Sequence, residues 1–107
     1  MKTITTTELE ALLQADDSLN LIDVREVDEY AGGHIKQAKN VPLSEFGAKV
    51  DELDRSKPIH VICAAGGRSM NASAYLDSLG FDVTNVDGGM MSWQGEVEYT
   101  ITSIGGN

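Results

Sequence analysis

One cysteine, two histidines and a shortage of basic residues set the first limits on this chain of 107 residues. A lone thiol, Cys63, closes no internal disulfide, so nothing suggests a secreted disulfide scaffold. With two histidines and no clustered spacing of ligand residues, no metal site is expected, and no cofactor either. Lysine and arginine number 8 against 17 aspartates and glutamates, for a net charge of −9. Nucleic acid and anionic membrane surfaces are gripped by an excess of positive charge, so neither is expected as a partner. No apolar run approaches the roughly 20 residues of a membrane span. The opening Met1-Lys2-Thr3-Ile4-Thr5-Thr6-Thr7 lacks the apolar core of a signal peptide. A reducing cytoplasm, where a free thiol persists, is therefore the expected location.

What is present is ordinary for a soluble globular domain: 41% hydrophobic and 23% charged residues, in a length that suits one core. A single domain over 1–100 is expected, followed by a loose tail, 101–107. Thr5 with Glu8, or Thr7 with Glu10, can form a capping box, and Leu9, Leu12 and Leu13 would share one helical face. Leu19 to Val24 reads as a buried strand, and Arg25 to Tyr30 as a polar helix closed by Gly32-Gly33. Asn40-Val41-Pro42 looks like a brief strand, with Ser44 capping a helix through Leu53. A strand from Lys57-Pro58 runs to Cys63, and a helix starting near Met70 ends at Gly80. Phe81 to Val86 holds another strand, Gly88-Gly89 opens a short turn or helix, and Val97, Tyr99 and Ile101 alternate as an edge strand would. Alternating helices and short apolar strands indicate a parallel sheet covered on both faces, whose ligands bind at carboxyl strand ends.

Cys63 stands at such an end. The apolar Ile59-His60-Val61-Ile62 runs into it, and Ala64-Ala65-Gly66-Gly67-Arg68-Ser69 leads on to a helix. Unpartnered amides at a helix start attract negative charge, so this loop forms an anion-binding cup with a nucleophile at its base. A thiolate there is stabilised and its thiol acidified. The competing reading, a small buried core residue, does not call for the Gly-Gly-Arg-Ser that follows. Gly66 and Gly67 let amides converge, and Arg68 either clamps an anionic donor or shapes the loop against a carboxylate. Ser69 caps the helix or reaches the sulfur. Asp23 and Arg25 border the pocket or pair to hold the loop around Gly33-His34. His34 reads as a turn residue sooner than a base, His60 as a packed or edge residue, and Trp93 as core or pocket mouth.

Six segments in order resemble the rhodanese-like domain. They are Leu21-Ile22-Asp23-Val24-Arg25-Glu26, Glu29-Tyr30, Gly33-His34-Ile35, Asn40-Val41-Pro42, the loop Cys63 to Ser69, and Gly88-Gly89 with Trp93. The resemblance implies an α/β fold with a central, mostly parallel five-stranded sheet and helices on both faces. It implies that Cys63 takes a sulfane sulfur from a small donor or a persulfide-bearing protein, and passes it to a thiophilic acceptor. The amides from Ala64 through Ser69 would hold the persulfide's charge.

Many members of that family carry a basic residue directly after the cysteine, where this chain has Ala64. Arg68 is then the loop's one cation, which disfavours the dianion thiosulfate as donor and favours a neutral or protein-bound persulfide. Two rivals remain. Cysteine phosphatases and arsenate reductases place five residues between cysteine and arginine, whereas four separate Cys63 from Arg68, a cup small for a tetrahedral oxyanion. A rhodanese-like binding or regulatory module without turnover is the other, and such modules often lack the cysteine. The oligomeric state is left open.

Overall fold

Strands that are apolar on both faces are stable only with helices on both sides, and the chain builds that arrangement. The computed structural model describes residues 1–100; the expected tail 101–107, with Ile101 of the expected edge strand, lies outside the described residues. Strands β1 (Lys2–Ile4), β2 (Leu21–Asp23), β3 (Ala38–Asn40), β4 (Ile59–Ile62) and β5 (Val83–Val86) form one sheet. Their order is β1-β5-β4-β2-β3 with every pairing parallel, so the α/β class holds and the sheet is wholly rather than mostly parallel. The central strand is β4, buried throughout, as are β2 and β5 beside it.

The helices are α1 (Thr6–Ala15), α2 (Val27–Ala31), α3 (Phe46–Lys49), α4 (Gly67–Ser78) and α5 (Gly89–Ser92). On one sheet face, Ile22, Val61, Val83 and Cys63 pack with Phe46 and Val50 and with Ala72 and Leu76 of α4. On the other, Ile62 and Val86 pack with Leu9 and Leu13 of α1 and with Ile35, flanked by Met90 and Trp93. Helix α1 starts at the Thr5–Glu8 capping box, in which each side chain takes the other residue's backbone N–H. Leu9 is fully buried, worth roughly 1.5–3 kcal/mol. Leu12 is half-exposed, so the helix buries a narrower stripe than its sequence offers.

Several expectations change. The strand expected at Asn40-Val41-Pro42 lies earlier, as β3, and ends at Asn40. Val97 and Tyr99 are exposed and form no strand; a single antiparallel bridge joins Glu98 to His34, because the segment opposite is a loop. The fifth strand is instead β1, whose mostly exposed residues gave no apolar signal. Ser44 is not a helix cap. Its hydroxyl donates to Glu26 Oε1 at 2.6 Å, and the segment to Leu53 is α3 between two 3-10 turns. Gly47 weakens a continuous helix there by about 1 kcal/mol, while Phe46, Val50 and Leu53 are still buried. Finally, α4 begins at Gly67 rather than near Met70, so Ser69 lies in its first turn and Gly66 is the cap.

Strand β2 ends on a carboxylate with no exposed surface, Asp23. The Arg25 guanidinium faces it, Nε and Nη2 donating at 2.9–3.1 Å, and Nη2 also donates to the Gly33 carbonyl at 2.8 Å. The Arg25 N–H donates to Asp23 Oδ1, which keeps Arg25 out of α2 and delays the helix to Val27. Asn40 Nδ2 ties the Asp23 and Arg25 carbonyls to the end of β3. Replacing Arg25→Met would strand a buried negative charge, so urea unfolding at neutral pH is expected to show a loss of roughly 3–5 kcal/mol. A loss below about 1 kcal/mol would mean that the pair is not what holds this corner.

Candidate functional site

Cys63 is the first residue beyond β4, at the carboxyl end of the central strand. The chain turns sharply at Gly66, whose φ of 112° suits glycine and brings its N–H back onto Cys63 Sγ at 3.0 Å. The thiol points at Ser69 Oγ, 3.4 Å away, and the Ser69 hydroxyl donates to the Gly66 carbonyl at 3.1 Å. Cys63 is 1% exposed and Ser69 fully buried, so the sulfur lies at the floor of the loop.

Helix α5 backs this loop from the other side. The Met90 N–H donates to the Cys63 carbonyl and the Met91 N–H to the Ala64 carbonyl, both at 2.8 Å. In a trans peptide the carbonyl and the following N–H point in opposite directions. Carbonyls drawn toward α5 therefore turn the Ala64 and Ala65 amides the other way. So close an approach requires glycine at 89: its φ is 58°, and a Cβ would overlap the carbonyl oxygens of Cys63 and Ala64.

Two influences compete at the sulfur. Burial is the largest single one and pushes the thiol up. The Ser69 hydroxyl and the amides of Ser69, Gly66 and Ala65 together outweigh it, and hold Cys63 below the ordinary thiol value. In general, a thiol held below its ordinary value carries a larger thiolate fraction at neutral pH than a free cysteine does. On ionisation the Ser69 hydroxyl can turn its proton from the Gly66 carbonyl to the sulfur.

The structure gathers Cys63, Gly66, Ser69 and the Ala65 amide about one atom, with Ala64 and Gly67 completing the turn. Arg68 goes elsewhere. Its fork donates to both oxygens of Glu29 at 2.7 and 2.9 Å. The Arg68 fork, and then the Glu26 N–H, pull the Glu29 carboxyl down to about 2. The fork braces the loop against α2, one donor from each terminal nitrogen going to the carboxylate. Asp23 and Arg25 satisfy each other at the end of β2. His34 stacks on Tyr30 at 3.7 Å between ring centroids and bonds the Tyr30 carbonyl through Nδ1, a turn-holding role. His60 meets the Asn20 carbonyl near the start of β2, and burial pushes it down from the ordinary histidine value. The Trp93 indole donates to the Glu96 carbonyl at 3.0 Å.

Two contributions are not visible in local sequence. Glu29 as the partner of Arg68 lies 39 positions away, with no spacing rule to mark it. The docking of α5 is signalled by Gly88-Gly89, yet a glycine pair announces a tight turn without saying what approaches it.

Residues 5–96 match the family description Rhodanese-like domain. A Bacillus subtilis protein named "Putative sulfurtransferase YtwF" is 45% identical over 98 residues, spanning 92% of this chain and 95% of that protein. The thiosulfate sulfurtransferase GlpE of Shewanella oneidensis is 34% identical over 77 residues, 71% of this chain and 76% of that one. A crystal structure of a rhodanese-like domain protein from Staphylococcus aureus superposes with a TM-score of 0.87 at 34% identity, covering 94% of this chain and all of that one.

Two outcomes test the geometry. Gly89→Ala is expected to cost about 2–3 kcal/mol in denaturant unfolding, through left-handed strain and overlap; stability equal to the parent would mean that α5 does not bear on the loop. Ser69→Ala is expected to move the Cys63 titration upward, read from the pH dependence of iodoacetamide alkylation. An unmoved midpoint would leave the amides as the sole stabilisers of the thiolate.

Proposed function

The chain belongs to the rhodanese-like domain family, and from that membership we propose that it is a sulfurtransferase working through a persulfide on Cys63. In the first step the Cys63 thiolate attacks the terminal sulfur of a donor. For a persulfide donor R–S–SH, a new S–S bond forms at Cys63 as the donor's S–S bond breaks, and R–S⁻ departs with the bonding pair. In the second, an acceptor thiolate attacks the outer sulfur, and the Cys63 thiolate is the leaving group. No net oxidation occurs and no metal or cofactor takes part. The amides that favour the thiolate can also favour the persulfide anion, the charge being the same and one atom farther out.

One observation carries this reading: a single buried sulfur on which the donors of a tight loop converge, next to a helix start. The four-residue spacing from Cys63 to Arg68 supports sulfur over phosphate, and the bidentate Arg68–Glu29 pair offsets the charge of the loop's one cation. That pair weighs against thiosulfate, because the loop's cation already has a counter-ion and Ala64 supplies none. The intact Cys63 loop favours turnover over a binding module. The active unit is the domain over 1–100, and a reducing cytoplasm is the compartment that keeps its thiol available. Among the described residues no helix is long and apolar enough to cross a membrane.

Intact-mass measurement after incubation with thiosulfate, glutathione persulfide and a protein persulfide is the direct test. The persulfide donors are expected to add one sulfur atom, lost in Cys63→Ser and discharged by an acceptor thiol. No gain from any donor would overturn the reading in favour of a binding module. Efficient loading from dilute thiosulfate would overturn the preference for a persulfide donor.

A further inference from the structure

Two methionines hang on the backbone of the cysteine loop with their side chains in solvent. The Met70 N–H donates to the Gly66 carbonyl at 3.1 Å and the Met91 N–H to the Ala64 carbonyl at 2.8 Å. The two residues are 39% and 80% exposed. Val27, 59% exposed, opens α2 two positions before Glu29, which grips the loop through Arg68. Three of the large apolar residues that the fold leaves uncovered thus sit in the first turns of helices bonded to the Cys63 loop, while Tyr75, also uncovered, lies farther along α4. Acidic charge lies beside them: Asp28 in the first turn of α2, Glu26 just before it with its carboxylate accepting from Ser44, and Asp87 between β5 and α5, its Oδ1 3.5 Å from where a Cβ on Gly66 would stand. The cations there, Arg25 and Arg68, are each held by a carboxylate.

We propose that Met70, Met91 and Val27 form a docking surface for a polypeptide that presents its cysteine on a protruding segment flanked by an apolar residue and by lysine or arginine. This rests on the sulfur-transfer reading. A sulfur 1% exposed at the floor of a loop is reached by a projecting thiol more readily than by a flat surface. Methionine, flexible and polarisable, suits a contact that forms and releases with each sulfur delivered. An acidic margin without a free cation attracts a basic segment and repels small anionic donors. It disfavours a second copy of this chain, whose own net charge is −9.

The test uses two synthetic peptides with serine in the cysteine position, so that binding is read without chemistry. One has leucine and lysines around the serine, and the other has glutamates in place of the lysines. Titrated into the ¹⁵N-labelled protein, the lysine peptide is expected to shift the amides of Val27, Met70 and Met91 and to bind about tenfold tighter at low salt, the gap narrowing as salt rises. Met91→Ser is expected to weaken it several-fold, and the double change Asp28→Lys with Asp87→Lys to reverse the preference between the peptides. Equal binding of both peptides, shifts confined to another face, or no binding at millimolar concentration would each overturn the surface. If the lysine peptide binds at the rim while no donor ever loads sulfur onto Cys63, the docking surface stands and the sulfur-transfer reading falls.

Discussion

A sulfur that has to ionise is disfavoured in a protein interior, and the arrangement around Cys63 answers that cost. Burial alone would raise the thiol and leave it inert. Amides must therefore converge on it, and they do so only if their peptide planes are turned inward. Turned planes send carbonyls outward, where buried oxygens need donors of their own. The amides of Met90 and Met91 supply them, and a glycine at 89 lets those amides come close enough. Each requirement is set by the one before it.

Charge is handled by pairing at short range, within a field that is negative overall. Asp23 with Arg25 fixes the end of β2 and the turn at Gly33, and Glu29 with Arg68 fixes α2 against the cysteine loop. The first pair is buried, so its worth is structural and large when one partner is removed. The second is more than a third exposed at each end, so its direct stabilisation is small and its value lies in orienting the loop. Glu29 ionises at about 2, which keeps this brace in force through the mildly acidic range and loosens it only as the pH falls toward that value.

Much of the site was legible because its signals are local. A strand ending at a thiol, two glycines and a helix start lie within about a dozen residues, and the backbone physics of such a turn is general. The class of fold was legible from alternating apolar strands and amphipathic helices. What escaped is non-local or carries no periodic signal. Strand β1 presents two exposed side chains in three residues, and its place in the sheet comes from pairing with β5 at the far end of the chain. Alternation at Val97 and Tyr99 promised a strand, but alternation is informative only where one face is covered, and here both residues are exposed. Arg68 was recognised as important without its partner, since nothing in a sequence points from position 68 to position 29.

The contact between α5 and the cysteine loop bears on how the protein is made. Synthesis runs from the amino end, so Cys63 emerges well before residues 88–91, whose amides orient its loop. Strand β1 waits as well, since Lys2 pairs with Thr84 across most of the chain's length. A nascent chain that has extruded Cys63 but not α5 therefore lacks the donors that the Cys63 and Ala64 carbonyls take in the finished fold. The loop's backbone is therefore satisfied only once residues 88–91 have left the ribosome, so the site is completed late in the making of the fold.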